Sequence, residues 1–159
     1  MSNEQTISLT VNGEVISARV ATRTNLVDFL RNQLGLTGSH IGCEHGVCGS
    51  CTLEVNGSMI RGCLMLAVQV DGAHITTVEG FAGRDEAARL QASFQKHNAL
   101  QCGYCTPGML ASALEYVEAN GAADRAAIRQ HLSGNYCRCT GYQSIVDAVV
   151  EVIERGGDK

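Results

Sequence analysis

Gly42-Cys43-Glu44-His45-Gly46-Val47-Cys48-Gly49-Ser50-Cys51-Thr52 decides how this chain is read. Its three cysteines are spaced Cys43-x4-Cys48-x2-Cys51, and Cys63 follows after eleven further residues. Thiolates are the soft ligands that iron-sulfur clusters need, and C-x4-C-x2-C closed by a later cysteine is the plant-type [2Fe-2S] spacing. Glycines at positions 38, 42, 46 and 49 fall within the fourteen residues from Gly38 to Cys51. That density suits a backbone that must approach a bulky inorganic ligand closely.

Outward from this stretch, the remaining cysteines form a second set, Cys102-x2-Cys105-x31-Cys137-x-Cys139, so all eight are used and none is left over. A disulfide framework would need an oxidising compartment and is typical of short secreted chains without a sufficient core. Here Met1-Ser2-Asn3-Glu4-Gln5 has neither a basic start nor an apolar run, and 159 residues at 45% hydrophobic content can build one or two real cores. Zinc stays open for the second set, because Cys102-x2-Cys105 closed by Cys137-x-Cys139 would make an acceptable four-thiolate structural site. In the first set the four-residue gap, placed in a glycine-rich loop, suits amides wrapping a cluster's sulfides better than a tight zinc knuckle.

A formal net charge of −4 leaves no basic footprint for nucleic acid. No apolar stretch approaches the ~20 residues of a membrane span, so a soluble, cytoplasmic protein is expected. Low-complexity linkers are absent, and the only repetition is the doubling of cysteine sets.

The first half reads as strands. Thr6 to Val11 and Glu14 to Val20 alternate apolar and polar residues across Asn12-Gly13, a two-residue hairpin signal. Leu26, Phe29, Leu30 and Leu34 then recur at helical spacing, with Thr24 as candidate N-cap and Gly35 as candidate C′ residue. Thr52 to Val55 and Ser58 to Gly62 flank a second Asn-Gly turn at Asn56-Gly57, and Ala73 to Val78 supplies a last strand. Between Glu79 and Asp85 the period changes from two to 3.6, which places the boundary between residues 1–80 and 81–159.

The second half reads as a small bundle of four helices. They are marked by Leu90 and Phe94, by Met109 to Val117 with Thr106 as N-cap and Pro107 in the first turn, by Ile128 and Leu132 stopped at Gly134, and by Ile145 to Ile153. The last has a β-branched run, yet its i, i+4, i+7, i+8 recurrence outweighs strand propensity. Cys105 and Cys139 each fall just before a helix, where unpaired N–H groups and partial positive charge are expected to lower thiolate pKa values and stabilise a negative cluster.

Three strings in order, the one quoted above, Gln101-Cys102-Gly103-Tyr104-Cys105-Thr106-Pro107-Gly108-Met109 and Gly134-Asn135-Tyr136-Cys137-Arg138-Cys139-Thr140-Gly141-Tyr142, resemble the iron-sulfur small subunit of molybdenum hydroxylases, the xanthine dehydrogenase and carbon monoxide dehydrogenase relatives. The resemblance spans nearly the whole chain. It implies an α+β protein, an N-terminal β-grasp (plant-type ferredoxin-like) domain followed by a C-terminal four-helix [2Fe-2S]-binding bundle. It also implies a molybdopterin-binding large subunit and an FAD-binding medium subunit as partners, in a heterotrimer that stands alone or dimerises. The ligands implied are Cys43, Cys48, Cys51 and Cys63 for one [2Fe-2S] cluster and Cys102, Cys105, Cys137 and Cys139 for the other. The second cluster would lie nearer molybdenum and the first would face the flavin, with Gln101 and Cys139 beside the pterin.

Other residues invite weaker readings. His45 lies between ligands, but Rieske-type ligation needs two histidines in place of two cysteines, so it reads as exposed or as a neighbour of the cluster. His40, His74, His97 and His131 lack ligand spacing and read as surface or cap residues. Met59, Met65 and Met109 read as gap fillers in core or interface. Arg138 is balanced between offsetting cluster charge and plain solvation. No paired carboxylates and no nucleophile-base constellation appear, so the expected role is electron transfer with the substrate site on a partner. A stand-alone ferredoxin is the rival carrier, disfavoured by so apolar a second half, and a zinc-stabilised interaction module is the rival structural protein.

Overall fold

The computed structural model describes residues 3–156. Strands β1 (Glu4–Val11), β2 (Glu14–Ala21), β3 (Thr52–Val55), β4 (Ser58–Arg61) and β5 (His74–Thr76) form one five-stranded sheet in the order β2-β1-β5-β3-β4. β1 and β5 run parallel, and the other neighbours are antiparallel. Both Asn-Gly pairs are the hairpin turns expected: Asn12 and Gly13 have φ of 50° and 87°, Asn56 and Gly57 of 50° and 80°. Alternation along β1 turns Ile7, Leu9 and Val11 inward. The sheet clasps helix α1 (Leu26–Asn32), whose Leu26, Val27, Phe29 and Leu30 are fully buried against it.

The cap of α1 corrects the sequence reading. Asn25, not Thr24, is the N-cap: its Oδ1 accepts from Asp28 N at 2.8 Å, and its Nδ2 donates to Asp28 Oδ2 at 2.6 Å. Thr24 is drawn away because its carbonyl accepts from Ala67 N at 2.8 Å. The helix also ends earlier, at Gln33, so Leu34 lies beyond it and Gly35 takes its positive φ of 72° one residue past the C′ position.

A 3-10 turn at Val78–Gly83 leads into α2 (Asp85–Lys96), α3 (Thr106–Glu118), α4 (Arg125–His131) and α5 (Gln143–Gly156). These four helices share a second core of Phe81, Leu90, Phe94, Met109, Leu114, Ile128, Ile145, Val146, Val149 and Val152. The β-branched run is therefore helical, and its stripe is buried as periodicity requires. Thr106 is the first residue of α3 and not its cap. Cys105 precedes it in an already helical conformation, and no side chain caps that end.

The two cores are clamped together. Arg84, just before α2, forms a bidentate pair with Glu54 of β3, both bonds at 2.8 Å, and also meets Glu118 at the end of α3. Met59 of β4 packs on the helical core. His97 and His131, read from sequence as surface or cap residues, both have side-chain partners. His97 pairs with Glu151 of α5, and His131 lies 3.3 Å from Glu115 and bonds the Ser112 carbonyl. None of the helices of the described residues is long and apolar enough to cross a membrane.

Candidate metal centres

The first cysteine set sits in the loop between α1 and β3, closed by Cys63 in the 3-10 turn after β4. Between Cys43 and Cys51 three residues are in the left-handed region, Glu44 at φ 57°, Gly46 at 83° and Gly49 at 76°, so the chain coils tightly around the thiols. A Cβ on Gly42 would come within 2.9 Å of Cys48 Sγ. The amide N–H of Cys48 donates to Cys43 Sγ at 3.3 Å. That bond, with a further one from the backbone of His45, holds the Cys43 thiol down to about 6. Cys51 is the opposite case: burial pushes it up to about 11 against a backbone hydrogen bond from Cys63, and the Cys63 thiol and the charge of Cys48 oppose its ionisation further.

The second set joins two helix entrances. Cys102 and Cys105 precede α3, Cys137 and Cys139 precede α5, and Gly103, Gly141 and Tyr142 have φ of 82°, 66° and 69°. Cys102 and Cys139 are exposed with their sulfurs 3.5 Å apart; Cys105 is half-buried, Cys137 is buried, and they face each other. The expectation that helix entrances lower both thiols fails at both: burial and the facing Cys137 push the Cys105 pKa up to about 12, and the hydrogen bond with the Cys102 thiol raises that of Cys139. Cys137 moves down in spite of burial, because the Thr140 hydroxyl at 3.1 Å and amide at 3.4 Å donate to its sulfur. Its own N–H donates to Tyr142 Oη at 2.9 Å. A buried thiol that resists ionisation alone is one whose charge a bound metal offsets.

The thiols therefore meet in pairs: Cys43 with Cys48, Cys51 with Cys63, Cys102 with Cys139, Cys105 with Cys137. Two sulfurs sharing one tetrahedral metal at about 2.3 Å are separated by about 3.8 Å, close to the 3.5 Å between Cys102 and Cys139. Among the described residues no three His, Cys, Asp or Glu side chains converge on a single ion position. Four sulfurs that meet as two pairs match the donor geometry of a two-iron cluster better than that of one zinc ion.

Residues 9–76 match the model of the 2Fe-2S iron-sulfur cluster binding domain, and residues 77–150 that of the [2Fe-2S] binding domain. Caffeine dehydrogenase subunit gamma of Pseudomonas sp. (strain CBB1) is 50% identical over 92% of this chain and 89% of its own. Nicotine 6-hydroxylase small subunit of Paenarthrobacter nicotinovorans is 47% identical over 99% of this chain and 95% of its own. The chain belongs to the [2Fe-2S] small subunits of molybdenum hydroxylases. Its backbone superposes on a chain of the crystal structure of quinoline 2-oxidoreductase from Pseudomonas putida 86 with a TM-score of 0.86, at 48% identity, over 98% of this chain and 99% of that one.

In this small subunit the structure brings Cys139 onto Cys102, whose neighbour Gln101 is also exposed. His45 is exposed and turned to the Cys43 carbonyl, and Arg138 is exposed. Sequence reasoning missed the residues that join the two sets. His40 Nδ1 meets the Tyr104 carbonyl at 2.8 Å, the two rings stack at 4.7 Å, and Tyr104 Oη donates to the Ile41 carbonyl at 2.6 Å. Tyr136 N donates to the Cys48 carbonyl at 2.8 Å. Asn135, beside it, is a buried polar residue, and its place in the Gly134-Asn135-Tyr136-Cys137 string was its only signal.

Proposed function

We propose that this small subunit is the electron-carrying component of a molybdopterin-dependent hydroxylase or dehydrogenase. Cys43, Cys48, Cys51 and Cys63 hold one [2Fe-2S] cluster, and Cys102, Cys105, Cys137 and Cys139 hold the other. The observation that carries the assignment is the meeting of thiols in pairs, two corners per set. When bound, the clusters supply one-electron relay centres, and the order proposed is molybdopterin of a large subunit, second set, first set, FAD of a medium subunit.

What the chain's own residues do supports that order. Cys102, Cys139 and Gln101 form an exposed corner suited to meeting a cofactor carried by another subunit, and an amide offers a polar heterocycle both a donor and an acceptor. The opposite corner, Cys105 and Cys137, is turned inward, and the peptide before Cys137 bonds to Cys48 of the first set. Exposed apolar side chains gather around the cysteines. Apart from Val15, the large hydrophobic residues exposed among the described ones are Val47, Leu64 and Leu66 beside the first set and Leu100, Tyr104 and Tyr136 beside the second. A groove of about 340 Å³ bounded by Leu132, Tyr136, Tyr142 and Ile145 adjoins the latter. Apolar surface at both ends of a relay is what docking between two partner subunits requires. The names of the relatives, which concern caffeine, nicotine and quinoline, support a nitrogen heteroaromatic as the substrate class of the assembled enzyme.

Metal and sulfide analysis of the intact complex tests the assignment. About four iron and four labile sulfide per chain are expected, with two distinct reduced-state EPR signals. Zinc in place of iron, or a single signal integrating to one spin, removes it.

A further inference from the structure

Asn135 is 2% exposed, and its amide is saturated. Nδ2 donates to the Gly108 carbonyl at 2.9 Å and the Gly49 carbonyl at 3.2 Å, with Thr52 Oγ1 at 3.5 Å. Oδ1 accepts from Ser112 Oγ at 2.9 Å and from the Arg61 guanidinium at 3.4 Å. A flipped amide would set its oxygen against two carbonyls, so the hydrogen-bond network fixes the orientation. The partners come from the loop of the first cysteine set, from β3 and β4 and from α3. Space for this convergence exists because glycines surround it: a Cβ on Gly49 would lie 2.7 Å from Asn135 Nδ2, and one on Gly108 would lie 2.1 Å from the Gly49 carbonyl oxygen.

The next residue carries the bond from Tyr136 N to the Cys48 carbonyl, 2.8 Å, and the one after it is Cys137. A path of covalent bonds interrupted by that single hydrogen bond therefore runs from the Cys48 sulfur to the Cys137 sulfur. Tunnelling decays far more steeply across an open gap than along bonds. Whatever holds this hydrogen bond closed also governs coupling between the two ends.

We propose that Asn135 is the positioning residue for electron passage between the two cysteine sets. By tying Gly49 to Gly108 it keeps the Tyr136 N–H on the Cys48 carbonyl and fixes the separation of the sets. The inference rests on the reading that each set holds a [2Fe-2S] cluster.

The test uses the assembled, iron-replete complex carrying Asn135→Asp, which preserves size and the acceptor for Ser112 but turns an anionic oxygen toward the Gly49 and Gly108 carbonyls. Three quantities are read: the magnetic splitting between the two reduced centres, the hydrogen-exchange rate of the Tyr136 amide, and the rate of electron re-equilibration between the centres after rapid reduction. The splitting should shrink, since dipolar coupling falls with the cube of distance. Exchange should quicken and re-equilibration should slow, each about tenfold or more. Ser112→Ala, which removes one partner and leaves Asn135 in place, should move all three in the same direction by less. Val149→Ala, fully buried in α5, lowers stability without touching the contact and should move none.

Wild-type splitting and protection in iron-replete Asn135→Asp overturn the inference, as does an equal shift in Val149→Ala. Where Asn135→Asp loses iron, Ser112→Ala decides, and unchanged splitting and exchange there are equally fatal. A wild-type complex with fewer than about four irons per chain refutes the cluster assignment instead, and so separates the two failures.

Discussion

Gly108→Ala sets helix propensity against packing, and the two have opposite signs. Gly108 is the third residue of α3, where alanine would gain up to about 1 kcal/mol of helix propensity. Its Cβ, however, would stand 2.1 Å from the Gly49 carbonyl oxygen and 3.1 Å from both Gly49 C and Ser50 Cα. Carbon and oxygen tolerate about 3.3 Å, so one backbone segment must retreat by roughly 1.2 Å. All three obstructing atoms are main-chain, so no side chain can swing aside. Overpacking of this kind costs about 1–3 kcal/mol. The retreat also lengthens the bonds from Asn135 to the Gly49 and Gly108 carbonyls, each worth about 0.5–1.5 kcal/mol. The net expectation is a loss of about 3 kcal/mol, which lowers Tm by about 6–12 °C in a chain of this size. Calorimetry on the purified iron-replete protein measures it, with Gly83→Ala as control. A Cβ on Gly83 meets nothing within 4 Å, so that variant should stay within about 0.5 kcal/mol of wild type. An unchanged or raised Tm in Gly108→Ala would show that propensity rules there, and would refute the close approach of α3 to the first loop.

Gln101→Ala should keep full iron content, because no thiol is lost, yet slow reduction of the second cluster by substrate in rapid mixing; wild-type rates with full molybdenum-cofactor occupancy would return Gln101 to an ordinary loop residue. Cys48→Ser should block electron exit toward flavin while substrate still reduces the second cluster, and loss of that reduction in an assembled complex would reverse the proposed order. Lys96 and His97 hold the Glu151 carboxyl down at about 2, against about 4.3 when unfolded, so its contribution to stability is complete above the unfolded value and disappears as pH falls through the folded one. Glu151→Gln should therefore be less stable than wild type in urea at pH 7, with the gap narrowing below about pH 5; a gap independent of pH would contradict the pairing.

Elements with a local cause were legible in the sequence. Each Asn-Gly pair announces a turn because both positions must take positive φ, and the stripe of α5 announces a buried face because side chains four apart lie together. The cap of α1 was misread by one residue, since Thr24 and Asn25 serve equally well in isolation and only the distant Ala67 amide separates them. The partners of His97 and His131, Glu151 and Glu115, belong to other helices and leave no trace in spacing.

The same limit governs the junction of the two cysteine sets, with one difference. Spacing sorts the eight thiols into two sets, the pattern expected of ligands of one metal centre, whereas the residues that hold the sets together obey no period. Yet Gly108 carries a signal of its own. A glycine inside a helix gives up about 1 kcal/mol relative to alanine and must be retained for some other reason. At φ near the helical value that reason cannot be backbone freedom, so it is the approach of a second main chain, here the loop of the first set at Gly49. Gly49, by contrast, needs both its positive φ and its lack of a Cβ, so its loop-like reading conceals the contact. A helical glycine next to a cysteine pair thus marks where another segment must dock, and the buried amide of Asn135 is what that docking places between them.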